Sequence, residues 1–148
     1  MIGRGEKFMA KGVIDANVII SAAFGGIPLE AVIRVFKDHE VYLSAPVIRE
    51  LENVFQKLSQ KVVEEKIIFL QHMIHRLIAL AQCIPVSVKV ILSRDAKDDH
   101  YLSLCKEAKA DFLITGDKDL LNLSPKALRE NRLSTRIVNP NLFLELNI

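Results

Sequence analysis

The segment from Arg94 to Leu121, RDAKDDHYLSLCKEAKADFLITGDKDLL, constrains the fold more than any other part of the chain. It reads as a helix, a strand and a turn in immediate succession. Asp95 stands at a helix N-cap position, with Ala96 at N1 and Asp98 at N3, and Tyr101, Leu102, Cys105 and Ala108 follow at helical spacing. Ala110 and Asp111 close that helix. Phe112, Leu113, Ile114 and Thr115 then form a short apolar, partly β-branched run that stops at Gly116, the pattern of a buried strand. A helix feeding a strand through so short a loop belongs to an α/β wind. Asp117, just past the strand, is therefore expected at the carboxyl edge of a parallel sheet, where such sheets place their ligand sites.

The rest of the chain alternates in the same way. GVID opens a first strand over about 12–16, ending at Asp15 and Asn17, and the apolar run continues through Val18, Ile19 and Ile20 before Ser21 and a GGIP turn. A helix over about 28–38 buries Leu29, Val32, Ile33 and Phe36. A second strand spans Glu40 to Leu43, and Ser44 with Pro46 signals the start of a helix carrying Val47, Leu51, Val54, Phe55 and Leu58. Glu50 falls in its second turn. A longer helix from Val62 to Ala81 has Val63, Ile67, Leu70, Ile74 and Leu77 along one seam, widened by Ile68, Phe69, Met73, Ile78 and Leu80 toward a second apolar surface. Ile84 to Leu92 reads as a third strand, Thr135 to Val138 as the last, and Pro140 to Leu146 as a closing helix, with a polar loop after TGDKDLL. The order predicts a three-layer α/β/α domain around a central, mainly parallel sheet.

In that arrangement Asp15 follows strand one, Glu50 sits early in the helix after strand two, Asp99 early in the helix after strand three, and Asp117 follows strand four. All four point to one edge. Carboxylates gathered so closely repel one another unless a cation compensates. All-oxygen ligation selects Mg²⁺ or Mn²⁺ over zinc, which prefers His or Cys. Such an acidic, metal-loaded pocket suits phosphodiester hydrolysis by water activated at the ion. Taken singly, these residues have ordinary uses: Asp95 and Asp98 as cap and first-turn acids, a lone Asp after a strand as turn chemistry, Glu50 as a solvated helix residue. The shared edge sets them apart.

Composition bounds the alternatives. With 148 residues, half of them hydrophobic, the chain is the size of one domain with a real core; residues 12–148 are expected to form it and 1–11 a flexible leader, with Met9 an alternative start. The leader lacks the apolar stretch of a secretory signal, and no segment reads as a membrane span. The net charge of +2, from 20 basic and 18 acidic residues, does not by itself imply nucleic-acid binding. Cys83 and Cys105 lack metal-ligand spacing and are expected as reduced core residues of a cytoplasmic protein.

Four stretches together resemble the PIN domain family, and within it the VapC-like toxins of toxin–antitoxin pairs: VIDANVIISA, PVIREL, DAKDDHYLSLCKEAKADFLITGDKDLL and IVNPNLFLEL. The likeness covers roughly residues 12–146. By position it implies an acidic metal site of Asp15, Glu50, Asp99 and Asp117, with Asp119 as a further acid, Asn17 and Ser21 as small polar residues beside the first Asp, and Thr115 before the last. Ala16 stands where many relatives have Thr, and Ala96 and Lys97 replace a Pro and an acidic residue. The resemblance implies a Mg²⁺- or Mn²⁺-dependent ribonuclease, commonly a homodimer, often inhibited by a small antitoxin and leaving 5′-phosphate and 3′-hydroxyl ends.

Arg94, Lys97 and Lys118 flank the expected site and are candidates for phosphate contact, or simply offset nearby acids. His72 and His75 lack a third ligand and read as a polar helix face, and His100 as a surface residue. An aspartyl phosphatase would need a second Asp where Asn17 stands. The remaining rival is a PIN-like fold that binds RNA or a partner with little catalysis.

Overall fold

The computed structural model describes residues 9–92 and 98–146. The expectations for Arg94, Asp95, Ala96 and Lys97 lie outside the described residues. Five strands, β1 (Lys11–Ile14), β2 (Glu40–Leu43), β3 (Gln82–Cys83), β4 (Phe112–Ile114) and β5 (Arg136–Val138), form one sheet in the order β3-β2-β1-β4-β5. Every pairing is parallel. The helices are α1 (Ala16–Ala22), α2 (Gly26–Asp38), α3 (Ala45–Leu58), α4 (Glu64–Leu80), α5 (Asp99–Ala108), α6 (Lys118–Leu121), α7 (Pro125–Glu130) and α8 (Pro140–Leu146).

The central strands dictate the layers. Val13, Ile14, Phe112, Leu113 and Ile114 are all buried, so β1 and β4 need cover on both faces. Right-handed crossovers supply it: the chain steps from β1 to β2 to β3 in one direction and from β3 past β1 to β4 and β5 in the other, which puts α1–α4 and α5–α7 on opposite faces. The direction reverses between β1 and β4. That reversal is the topological switch point at which parallel sheets open a crevice beyond their carboxyl ends.

Local chemistry explains where the structure departs from the sequence reading. The residues after β1 form a helix, α1, which the apolar run had concealed; Asp15 caps it by accepting from the Asn17 backbone N–H at 2.9 Å. The end of TGDKDLL forms α6 and the loop expected after it contains α7, the two helices capped by Asp117 and Ser124 through their side chains. In α4, Leu70, Ile74 and Leu77 are buried as expected, whereas Val63, expected in the same seam, is its exposed N-cap residue; Phe69 and Leu80, of the second apolar surface, are also exposed. Cys105 is buried, with its thiol pushed up to about 12 by desolvation, but Cys83, expected in the core, is exposed at the sheet edge. The fold already includes Ala10, which is buried and whose N–H donates to Nδ1 of His39.

The third strand is the largest correction. Only Gln82 and Cys83 pair with β2, and the segment 84–92 leaves the sheet after Ile84 N–H donates to Leu43. Pro85 has no N–H to continue the ladder. The backbone instead runs along α5, whose side chains accept its hydrogen bonds: Glu107 from Ser87 and Val88, Ser103 from Val90, and Asp99 from Leu92. These bonds hold the Glu107 carboxyl below its ordinary value, the Ser87 N–H contributing most. A depressed carboxylate pKa means the tether contributes stability above the ordinary Glu value and loses it as pH falls through the lowered one. In an NMR titration the Ser87 and Val88 amide resonances are expected to move with a midpoint below about 4.3, the unperturbed value for Glu. A midpoint at or above that value would mean the tether is not formed in solution.

Candidate active site

The ends of β1 and β4 are adjacent strands in register, so Asp15 and Thr115 leave the sheet side by side. The Asp15 N–H donates to Ile114, and the Thr115 N–H to Val138. Thr115 then links the two strand ends through its hydroxyl, which donates to Asp15 Oδ2 at 2.7 Å and accepts from the Asp117 N–H at 3.0 Å. Asp117 turns its Oδ1 back to the Asp119 N–H at 2.8 Å, fixing the first turn of α6. Asp15, Asn17, Ser21, Gly116 and Asp117 line one cavity of about 380 Å³.

Carboxylates of Asp98, Asp117 and Asp119 come within 4.8 Å of one another. All three are half-buried. From sequence, Asp98 is expected only as a first-turn helix acid. In the described part of α5, Asp98 immediately precedes the first helical residue, Asp99, and its carboxylate comes within reach of Asp117. Asp99, the residue expected there, is not part of that trio; its Oδ1 accepts from Leu92 N–H at 3.1 Å on the other side of the helix start. Three acidic oxygens with no nitrogen or sulfur among them fit a hard divalent cation.

Glu50 and Asp15 meet through Tyr101. The Tyr101 hydroxyl donates to Glu50 Oε1 at 2.7 Å, accepts from the Ala16 N–H at 2.9 Å, and lies against the Asp15 carboxylate. Burial, together with the charge of Asp15, drives the phenol far above its ordinary range, so it stays a neutral donor. His100 Nε2 stands 3.3 Å from the same Glu50 oxygen. The hydrogen bond from His100 leads the causes that hold the Glu50 carboxyl below its usual range. Asp15 moves the other way: burial raises it, partly offset by hydrogen bonds from Asn17 and Thr115, while the charge of Glu50 raises it further. Tyr101 had been read only as a buried helix residue and His100 as a surface one. Lys118 is exposed as the first residue of α6. His72 and His75 are exposed on α4.

Fold and site together define a parallel α/β protein with a cluster of acidic side chains at its topological switch point. The chain belongs to the PIN domain family, whose profile matches residues 11–119. PIN domains are generally nucleases that use divalent metals. Among solved structures, PAE2754 from Pyrobaculum aerophilum is similar over 93% of this chain and 90% of its own, with a TM-score of 0.60 at 14% identity. VapBC2 from Rickettsia felis, solved bound to a DNA fragment from their promoter, is similar over 87% of this chain and 98% of its own, with a TM-score of 0.54 at 14% identity. At such identities the likeness is one of fold. Among curated proteins there is no sequence match. No single helix among the described residues is long and apolar enough to cross a membrane.

Proposed function

We propose that this chain is a divalent-metal-dependent endoribonuclease, acting in the cytoplasm as the toxin of a toxin–antitoxin pair. The observation that carries the reading is the trio of Asp98, Asp117 and Asp119 carboxylates, gathered within 4.8 Å at the carboxyl edge of a PIN fold. These three residues would hold Mg²⁺ or Mn²⁺, with Asp15 beside Asp117 on the same cavity wall. The ion, when bound, lowers the pKa of water and neutralises charge on a phosphate. Asn17 and Ser21 border the cavity as further polar groups. Thr115 keeps the Asp15 carboxylate turned into the cavity by its hydrogen bond. Glu50, held as a carboxylate by His100 and Tyr101, orients the attacking water. Lys118, exposed beside Asp117, meets the substrate backbone by charge.

The likeness to VapBC2 favours a small antitoxin as partner. Exposed Ile33 on α2 and Ile68, Phe69 and Leu80 on α4 supply apolar surface for a second chain, whether antitoxin or homodimer mate. The test is incubation of a mixed RNA panel with purified protein in Mg²⁺, Mn²⁺ or EDTA. Cleavage with either metal, none in EDTA, and products ending in 5′-phosphate and 3′-hydroxyl are the expected results. Binding of RNA with no cleavage in any metal would replace the enzyme with a binding module.

A further inference from the structure

Beside Asp99 and His100 at the start of α5, a cleft of about 650 Å³ opens between the N-terminus of α3 and the segment 84–91. Its walls are largely apolar, with Pro46, Ile84, Pro85, Val88 and Ile91 among them. Two polar groups on its border are unusual. Ser44 is 2% exposed and holds the N-cap position of α3, yet its hydroxyl makes no cap hydrogen bond and finds no other partner among the described residues. His100 spends Nε2 on Glu50, while its buried Nδ1 finds no partner among the described residues. A buried polar atom left without a partner is costly, so two of them beside one cleft point to an occupant that satisfies both.

We propose that this cleft receives a nucleobase of the RNA substrate next to the scissile phosphate, with Ser44 Oγ and His100 Nδ1 reading its edge. The inference rests on the ribonuclease reading. An apolar slot with a few convergent polar groups suits a flat heterocycle that carries donors and acceptors on its rim. A helix N-terminus and Lys89 on the same wall would also suit a free anion, but the Asp99 carboxylate lines the cleft and opposes one. Position supports the assignment. Asp98 belongs to the acidic trio, Asp99 borders the cleft, and His100 touches both the cleft and Glu50, so consecutive residues face a phosphate site and a base site. The signal was present in sequence only as a helix-start serine, and its unused hydroxyl is visible only in three dimensions.

The test uses the four unphosphorylated nucleosides in EDTA, with binding followed by NMR, beside inorganic phosphate as a second probe. Four proteins are compared: wild type, Ser44→Ala, the cleft-filling Val88→Phe, and Asp117→Asn. Ser44→Ala removes no hydrogen bond made among the described residues, so its melting temperature is expected to stay close to wild type. The expected result is Ser44-dependent binding of at least one nucleoside. It should weaken about tenfold or more in Ser44→Ala, disappear in Val88→Phe and persist in Asp117→Asn. RNA cleavage by wild type should then show a base preference beside the cut that relaxes in Ser44→Ala. If wild type cleaves RNA without base preference and no nucleoside binds, the cleft proposal falls and the nuclease stands. If nucleosides bind through Ser44 but no RNA is cut, the cleft stands as a base site and the nuclease reading falls. Ser44-dependent binding of phosphate without any nucleoside would overturn the base assignment in favour of an anion site.

Discussion

Asp117→Asn is expected to lower metal-dependent RNA cleavage by about 10²–10³-fold, the loss typical when a group that stabilises developing charge is removed. The fold should be unaffected, because Asn is as good a helix cap as Asp and its side-chain oxygen can still accept from the Asp119 N–H. The substitution changes a charge and little else. Circular dichroism and melting temperature near wild type, with activity lost, would separate the chemistry from the architecture. Full activity in Asp117→Asn would exclude this edge as the active site.

Tyr101→Phe is expected to cost both stability and activity. The ring stays packed, but the Ala16 N–H loses its acceptor and the Glu50 carboxylate loses a donor, in a place where Tyr101 is 1% exposed. Leaving such groups unsatisfied costs about 1–3 kcal/mol, which a denaturant titration can read. Glu50 also loses one of its two positioning contacts, so cleavage should fall about 10–100-fold, the range for groups that orient an active-site ligand without touching substrate. Restoring metal in excess should not recover it. A melting temperature and a rate both equal to wild type would mean that Tyr101 does not organise Asp15 and Glu50.

Much of this arrangement was legible in the sequence, and the parts that were not have definite physical causes. The strands with buried faces were found because apolar runs ending in Asp15 and Asp117 leave few alternatives, and the parallel order then follows from the helices between them. The strand reading for 84–92 failed because its alternation is real but its hydrogen-bond acceptors are the side chains of Asp99, Ser103 and Glu107, which no local pattern reveals. Helix α1 was missed because Val18, Ile19 and Ile20 suit a strand as well as a buried helix, and Asp15 as cap was the signal that could have decided it. Asp98 and Asp99 are neighbours in sequence, and that the carboxylate of Asp98, not that of Asp99, groups with Asp117 and Asp119 is a matter of three-dimensional placement that residue spacing does not give. Tyr101 and His100 could not be recognised at all, since their roles arise from Glu50 on a different helix, 51 residues away for Tyr101.

The measurement that bears most directly on the account is RNA cleavage in Mn²⁺ by Asp98→Asn and Asp99→Asn side by side with wild type. Asp98→Asn is expected to lose about 10²–10³-fold, because it removes one carboxylate of the acidic trio proposed to hold the ion. Asp99→Asn keeps an oxygen for the Leu92 N–H and should retain most of the activity. The opposite order, with Asp98→Asn active and Asp99→Asn dead, would contradict the site described here.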